Sequence, residues 1–356
     1  MSQTIVLTGG GTAGHVMPNL ALLDGLREMG FEIVYVGGKD SMEEKLAQEA
    51  GLPFYGVSTG KLRRYMSVKN LTDPFRVVKG LAEAVGLMRK LKPSLVFSKG
   101  GFVIVPVVMA AKLCGVKCVL HESDMTPGLA NKLTIPLAHR VCATFPETID
   151  HLPKKKAVLT GAPIRKELFE GSRLEGRRIA GCTDDTPVLL VMGGSSGARA
   201  VNNCVREALP VLTKAYHVVH LCGKGNVDES LLPLARYKQI EFASAEMPDL
   251  LAAADVVVSR AGSNAINELL AVQKPMVLIP LPLSQSRGDQ ILNAASFQKR
   301  GYAEVLDEAD MTAASLVRAV DALYAKRGQS VSVMQACEAK DGVREVLRVI
   351  AEAVGR

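Results

Sequence analysis

The feature that most limits the possible folds is a unit of strand, glycine-rich turn and helix that occurs twice. Residues 4–7 form an apolar run that leads into a turn at residues 9–15, and residues 188–192 lead into residues 193–199 in the same way. A helical pattern of apolar residues follows the turn. Such a turn lets the backbone approach a phosphate, and the following helix offers free N–H groups. Each unit therefore predicts a site for a phosphate-bearing ligand.

Further pairings show that the whole pattern is repeated. Three further β runs, which fall within residues 33–36, 96–101 and 119–120, recur in the same order at residues 218–221, 257–262 and 277–278. Asn19 in the first helix also falls on Asn202 in the second. Four pairings in register predict an α/β protein with two Rossmann-like, doubly wound domains that face a deep cleft.

The domain boundaries follow from a break between the two copies. Gly161 and Pro163 mark a linker there. We therefore expect an N-terminal domain over residues 1–161 and a C-terminal domain over residues 162–338. Residues 339–356 contain an amphipathic helix, which we expect to pack back on the N-terminal domain.

Composition indicates a compact cytoplasmic protein. The chain has 356 residues, of which 48% are hydrophobic. Its start does not have the pattern of a signal peptide, and no run of about 18 apolar residues predicts a membrane span. The seven cysteines are scattered without the paired spacing of a zinc site, so we expect reduced thiols.

The positive charge is concentrated in one segment. Residues 61–92 carry nine basic and two acidic residues, which equals the net charge of +7 of the whole chain. Apolar residues are mixed with the basic ones, as in surfaces that bind anionic membranes. A helix with a solvated basic edge and a nucleic-acid patch are the alternatives. Few aromatic residues and no nucleic-acid motif make us expect no nucleic-acid partner.

The first glycine turn allows two interpretations. Gly9, Gly11 and Gly14 fit G-x-G-x-x-G, with Asp40 after the second strand, as in dinucleotide dehydrogenases. That interpretation leaves the second turn unexplained. His15 directly follows the first turn and suits a general base that activates an alcohol. The alternative for His15 is a structural hydrogen bond that shapes the turn.

An acidic loop is expected at the same rim of the sheet. His121, Glu122, Ser123 and Asp124 follow the apolar run that ends at Leu120. Since the carboxyl ends of parallel strands meet at one rim, we expect Glu122 to reach the same rim as His15. Glu122 is therefore the alternative candidate for the general base.

The second domain supplies residues that suit the binding of a ribose-containing ligand. Residues 254–294 deliver Glu268 and a polar cluster with Asp289 and Gln290 to the rim, where a carboxylate suits ribose hydroxyls. The alternative is that Glu268 is an ordinary solvated helix residue.

If the cleft binds a donor whose diphosphate leaves during the reaction, we expect the second glycine turn, residues 193–199, to stabilise that diphosphate. The backbone N–H groups of residues 194–197, including Gly194, act with Arg165, while Ser195 and Ser196 add hydroxyl donors. No Asp-x-Asp motif follows a strand, so we expect no metal. Arg165 has an alternative role as a solvated residue.

Taken together, these motifs resemble the family 28-like GT-B glycosyltransferases of peptidoglycan synthesis. The resemblance rests on both glycine turns, His121-Glu122, residues 161–165, Arg260-Ala261-Gly262 with Glu268, and residues 286–290, in order over nearly the whole chain. It implies inverting, metal-independent transfer of N-acetylglucosamine from UDP-N-acetylglucosamine (UDP-GlcNAc) to the C4 hydroxyl of lipid I, the undecaprenyl-diphospho-muramyl pentapeptide, to give lipid II. It also implies no cofactor, a peripheral position on the cytoplasmic side of the cell membrane, and contacts with other cell-wall synthesis and division proteins.

The resemblance also implies roles for single residues. On the donor side, Ser195 and Ser196 would meet the phosphates, Glu268 the ribose, and Gln290 with Asp289 the sugar hydroxyls. Arg165 would lie near the uridine and phosphates. The donor sugar would be bordered by Thr12, Ala13, Gly14 and Asp124, with His15 as base. The acceptor diphosphate would lie at Gly10, Gly11, Gly100 and Gly101.

Two departures from the family pattern lie on the acceptor side or near the donor sugar. The turn at Gly100-Gly101 continues without the usual Gly-Pro, and Asp124 stands where an Asn is usual. The alternatives on the same fold are a diacylglycerol glycosyltransferase and a UDP-GlcNAc 2-epimerase, for which Glu122 and Asp124 would be the paired acids. A non-catalytic nucleotide-binding protein would not need His15.

Overall fold

The structure, a computed structural model, describes residues 3–59, 73–194, 197–337 and 341–356. Ser195, Ser196 and the first part of the basic segment therefore lie outside the described residues. The chain forms two compact units. The first runs as far as Arg165 and includes the C-terminal helix, and the second begins at Lys166.

The first unit alternates strands and helices around a parallel sheet. Its strands are β1 (Gln3–Thr8), β2 (Phe31–Gly38), β3 (Phe54–Val57), β4 (Leu95–Ser98), β5 (Lys117–Glu122), β6 (Arg140–Ala143) and β7 (Ala157–Leu159). Its helices are α1 (Ala13–Leu20), α2 (Leu23–Glu28), α3 (Met42–Glu49), α4 (Asp73–Leu91), α5 (Ile104–Leu113), α6 (Leu129–Thr134) and, at the end of the chain, α14 (Gly342–Val354). The described strands are ordered β3-β2-β1-β4-β5-β6-β7, so β1 and β4 are central.

Apolar residues cover both faces of this sheet. Helices α4, α5 and α6 pack on one face through residues such as Met88 and Val107. Helices α1, α2 and α14 pack on the other face, where Val16 and Ile350 are fully buried. Buried parallel strands need apolar side chains on both faces, which is why they appear in the sequence as continuous apolar runs.

The C-terminal helix explains where the first unit ends. Gly342 lies so close to the linker that a Cβ atom on it would be 2.1 Å from the carbonyl oxygen of Ala162. The linker is thus covered by α14, and the units divide after Arg165. The sequence placed this division after residue 161.

The second unit has the same plan. Its strands are β8 (Val188–Met192), β9 (His217–Leu221), β10 (Tyr237–Ile240), β11 (Val256–Ser259), β12 (Met276–Leu278) and β13 (Ala303–Val305). Its helices are α7 (Arg173–Ala180), α8 (Arg199–Ala215), α9 (Met247–Ala253), α10 (Ser263–Ala271), α11 (Asp289–Lys299), α12 (Ala313–Ala325) and α13 (Arg327–Gln335). The described strands are ordered β10-β9-β8-β11-β12-β13 and all pair in parallel.

The predicted internal repeat is confirmed by these strand orders. The four matched runs are β1, β2, β4 and β5 in one sheet and β8, β9, β11 and β12 in the other, in the same relative positions. The matched asparagines have similar tasks. Asn19 donates to the Thr8 carbonyl oxygen and the Tyr35 hydroxyl, and Asn202 donates to the Cys222 carbonyl oxygen. Each joins the helix after the glycine turn to a strand end.

None of the helices within these described ranges is long and apolar enough to cross a bilayer.

Candidate active site

The first glycine turn orients His15. The side chain lies in the first turn of α1, and its Nδ1 atom is 2.9 Å from the Gly10 carbonyl oxygen and 3.2 Å from Thr12 Oγ1. A carbonyl oxygen can only accept, so Nδ1 carries the proton in the neutral ring. Nε2 is then the unprotonated nitrogen, which is the form a general base needs.

Glycines leave room in front of this nitrogen. A Cβ atom on Gly100 would lie 3.5 Å from His15 Nε2, and one on Gly101 would lie 2.1 Å from the Gly10 carbonyl oxygen. Gly100 and Gly101 also have φ values of +106° and +86°, which favour glycine. The first glycine turn and the turn at Gly100-Gly101 are therefore packed against each other. The Gly10 N–H donates to the Gly100 carbonyl oxygen at 3.2 Å.

The structure thus brings together the four glycines predicted for the acceptor diphosphate. It also shows that two of their N–H groups are already paired, since Gly11 donates to Glu43 Oε2 at 3.1 Å. Glu43 is not predicted by the sequence pattern. Its only local signal is an acidic residue in the first turn of α3, which Glu44 shares.

Burial lowers the pKa of His15, and the positive charge of Lys99 lowers it further. The Gly10 carbonyl and the carboxylates of Asp124 and Glu43 act in the opposite direction. The net effect favours the neutral imidazole at neutral pH, which matches the tautomer set by Gly10.

Glu122 lies at the same rim but is held differently. Its carboxylate accepts hydrogen bonds from the N–H groups of Asp124 and Gly128, both at 3.0 Å, and from Asn131 Nδ2 at 2.7 Å. Burial and the nearby Asp124 raise its pKa. Both oxygens are engaged in fixing the loop after β5, so the geometry favours His15 over Glu122 as the base.

The second unit contains a cavity beside its own glycine turn. The cavity has a volume of about 750 Å³ and is lined by Gly194, Arg199, Arg260, Gln285 and Gln290, among others. Gly194 and Gln290 were predicted to bind the donor. Gln290 is fixed by the Leu281 N–H, which donates to its Oε1 atom at 3.1 Å.

Arg260 is a buried part of this wall. Its Nη1 donates to the carbonyl oxygens of Ile279 and Pro280 at 3.2 and 3.3 Å, and its guanidinium pairs with Glu308. Arg260 therefore fixes the loop after β12, which carries Leu281 and Gln285 into the cavity.

The other predicted donor residues occupy different positions. Glu268 is half-buried on α10, and Asp289 begins α11, where it pairs with Arg287 at 3.4 Å. Neither is among the residues that line the cavity. Arg165 belongs to the first unit, and its buried Nε has no hydrogen-bond partner among the described residues. Gly262 occupies the N-cap position of α10, and Ser263 is its first residue.

Within the described ranges, no group of three or more His, Cys, Asp or Glu side chains is arranged to hold a metal ion.

The repeated α/β unit, with a histidine at one glycine turn and a cavity at the other, agrees with a two-domain glycosyltransferase of the GT-B class, which the family models identify. Residues 5–143 match the glycosyltransferase family 28 N-terminal domain, and residues 188–347 match the glycosyltransferase family 28 C-terminal domain. The chain belongs to glycosyltransferase family 28.

Relatives cover the full length of the chain. It is 53% identical over 350 residues to the UDP-N-acetylglucosamine--N-acetylmuramyl-(pentapeptide) pyrophosphoryl-undecaprenol N-acetylglucosamine transferase of Lachnoclostridium phytofermentans, covering 98% of this chain and 99% of the relative. The protein of the same name from Geobacillus thermodenitrificans is 53% identical over 351 residues, with the same coverage. The crystal structure of Acinetobacter baumannii MurG is similar in fold, with a TM-score of 0.75 at 24% identity over 99% of this chain and 100% of that chain.

Proposed function

We propose that this protein transfers N-acetylglucosamine from UDP-GlcNAc to the C4 hydroxyl of lipid I and so forms lipid II. Membership of family 28 and the names of relatives at 53% identity support this activity. The observation that carries the mechanism is the contact of His15 Nδ1 with the Gly10 carbonyl oxygen, which leaves Nε2 as the basic nitrogen beside Gly100.

The proposed step is a direct displacement with inversion. His15 Nε2 takes the proton of the acceptor hydroxyl as its oxygen forms a bond to C1 of the donor sugar. The bond from C1 to the diphosphate breaks, and UDP leaves with the electron pair. No metal takes part in this step. The N–H groups at Gly194 and the positive N-terminus of α8 suit the charge that develops on the diphosphate.

The remaining site assignments are part of the same proposal. On the donor side, Ser195, Ser196 and Arg165 contact the phosphates, and Glu268 contacts the ribose. Asp289 and Gln290 contact the sugar hydroxyls. Thr12, Ala13, Gly14 and Asp124 border the donor sugar, and the packed glycine turns of the first unit form the acceptor side.

A transfer assay with labelled UDP-GlcNAc tests the activity. A short-chain lipid I analogue and diacylglycerol are offered in parallel, with EDTA present. We expect label on the lipid I analogue alone. Label on diacylglycerol, or epimerised free sugar, would instead support one of the two alternative activities. Loss of transfer with EDTA that Mg²⁺ restores would contradict the metal-independent step.

The base assignment is tested by His15→Ala. We expect kcat to fall by about 10²–10⁴-fold, because general-base catalysis contributes about this much. UDP binding, measured by calorimetry, should be retained. His151→Ala removes an exposed histidine of the same unit and should leave kcat unchanged. If Glu122→Gln lost as much activity while His15→Ala lost little, Glu122 would be the base.

We also propose that the first unit binds an anionic membrane surface from the cytoplasmic side. Helices α4, α5 and α6 share one face of its sheet and expose both basic and apolar side chains. Val78 is 66% exposed and Leu113 is 70% exposed, and Arg76, Lys79 and Lys112 are exposed on the same helices. This combination suits a lipid surface, since charge attracts the protein and apolar side chains enter the interface.

A further inference from the structure

Lys99 is a charged side chain that is almost completely buried, with 1% exposure, and the transfer step above does not use it. It lies between Ser98, which ends β4, and the turn at Gly100-Gly101. Its Nζ is 2.8 Å from His121 Nδ1 and donates to Ser123 Oγ. His121 Nε2 lies 3.0 Å from the Gly161 carbonyl oxygen, so it carries the proton of the neutral ring and leaves Nδ1 as the acceptor for Lys99.

The groups around Lys99 explain how the cation is tolerated. A buried ammonium is unfavourable unless it is paired and hydrogen-bonded. Besides His121 and Ser123, the carboxylates of Glu122 and Asp124 and the thiol of Cys142 act on it electrostatically. Burial is the larger effect and lowers the pKa of Lys99 to about 8, so the side chain is mainly protonated at neutral pH.

The internal repeat places a second buried cation at the equivalent point. Arg260, which is 9% exposed, follows Ser259 at the end of β11 as Lys99 follows Ser98 at the end of β4. Each cation joins its own strand end to the loop after the neighbouring strand. In the second unit this loop lines the cavity, and in the first unit it carries Asp124.

From these contacts we propose that Lys99 is a positioning residue for sugar transfer: its ammonium holds the loop with Ser123 against the turn at Gly100-Gly101, and its positive charge acts on His15, whose ring lies against Gly100. The proposal rests on the assignment of His15 as base. The charged groups that act on His15 are Lys99 at the end of β4, Asp124 in the loop after β5 and Glu43 on α3. Lys99 favours the neutral imidazole, whereas the two carboxylates favour the protonated one.

The pH dependence of kcat/KM tests this role. Lys99→Met keeps most of the length of the side chain and removes its charge. We expect the acidic limb of the profile, where His15 becomes protonated, to move upward by about 0.5–1 pH unit. Activity on the acidic limb should then fall relative to the plateau. A purely structural role would lower the plateau and leave the limb in place.

Three matched variants separate charge from structure. Lys99→Arg keeps the charge, and Ser123→Ala removes one contact but keeps Lys99, so both should leave the limb unmoved. Lys45→Met removes an exposed lysine of α3 and should change neither the limb nor the plateau. Thermal unfolding checks each fold, and Lys99→Gln replaces Lys99→Met if the latter does not fold.

The outcomes distinguish the two assignments. An acidic limb that persists in the residual activity of His15→Ala would overturn the base assignment and this proposal with it. A limb that depends on His15 but does not move in Lys99→Met, or in Lys99→Gln where that variant is used, would overturn the role of Lys99 alone.

Discussion

At the scale of single residues, the first glycine turn is held by a buried carboxylate. Glu43 accepts the Gly11 N–H through Oε2 and the Gly38 N–H through Oε1, both at 3.1 Å, and so joins the glycine turn to the end of β2. A Cβ atom on Gly10 would come within 2.3 Å of this side chain. Glu43 therefore fixes the turn that orients His15. Its side chain also leaves no room for a Cβ atom at position 10, where only glycine fits.

This contact predicts the effect of Glu43→Gln. The amide keeps one acceptor, but its NH₂ group would face a backbone N–H, so the free energy of unfolding should fall by about 1–3 kcal/mol. Urea denaturation measures this change. Glu49→Gln, on the exposed side of the same helix, should change stability by less than about 0.5 kcal/mol. Equal stabilities of the two variants would show that Glu43 does not hold the turn.

His220 gives a pH-dependent prediction in the second unit. Its ring nitrogens lie 2.9 Å from the Tyr237 hydroxyl and 3.0 Å from Asn202 Oδ1, and burial, with a smaller effect of Arg206, lowers its pKa to about 4. Unfolded histidine has a pKa of about 6.5, so the unfolded state binds more protons between these values and stability is lost as pH falls.

We therefore compare the native protein with His220→Gln. The difference in their free energies of unfolding should shrink by about 1–3 kcal/mol between pH 7 and pH 4.5. Urea denaturation at several pH values measures it, with the exposed His151→Gln as control. A difference that stays constant with pH would show that His220 is not kept neutral by burial.

At the scale of elements, the central strands were predictable and the edge strands were not. Strands β1, β4, β8 and β11 are buried on both faces and so appear as apolar runs. At the edges, β7 and β13 have three residues each and are only partly buried, unlike the equally short β12, whose three residues are all buried.

The same limit applies to the site. His15 and the glycines were found because their pattern is local. Glu43 was not, because its partner Gly11 is 32 residues away along the chain. Lys99 stands within a motif that the sequence analysis matched to Arg260, but only the fold shows that both side chains are buried.

Helix α14 carries a prediction at this scale. Ile350 is fully buried in the core of the first unit, although the second unit separates the two in sequence. Ile350→Ala should lower the free energy of unfolding by about 2–5 kcal/mol through lost contacts and a cavity. Arg344→Ala, at an exposed position of α14, is the control and should have little effect. A small effect of Ile350→Ala on denaturation would mean that α14 is not part of the cooperative core.

At the scale of the whole molecule, charge divides unevenly between the two halves of the chain. Residues 1–160 contain 20 Lys and Arg against 13 Asp and Glu, whereas residues 161–356 contain 23 of each. The excess of basic over acidic residues lies in residues 61–92. The described part of that segment is mainly α4. The first unit is therefore the one that an anionic surface attracts, and any contribution from apolar insertion has to be separated from this charge.

Val78→Ser combined with Leu113→Ser makes that separation, because it keeps every charge. If the two side chains enter the lipid interface, binding to phosphatidylglycerol vesicles should weaken by about 10-fold or more, since each buried side chain of this size contributes about 1 kcal/mol or more. Vesicle sedimentation measures the affinity.

The matched control is Val211→Ser with Leu174→Ser, which removes two exposed apolar side chains from the second unit and should leave binding unchanged. Raising the salt concentration should weaken the remaining binding of both variants, because salt screens the basic residues. Unchanged binding of the Val78 and Leu113 variant at low salt would show that charge alone docks the protein and would contradict insertion.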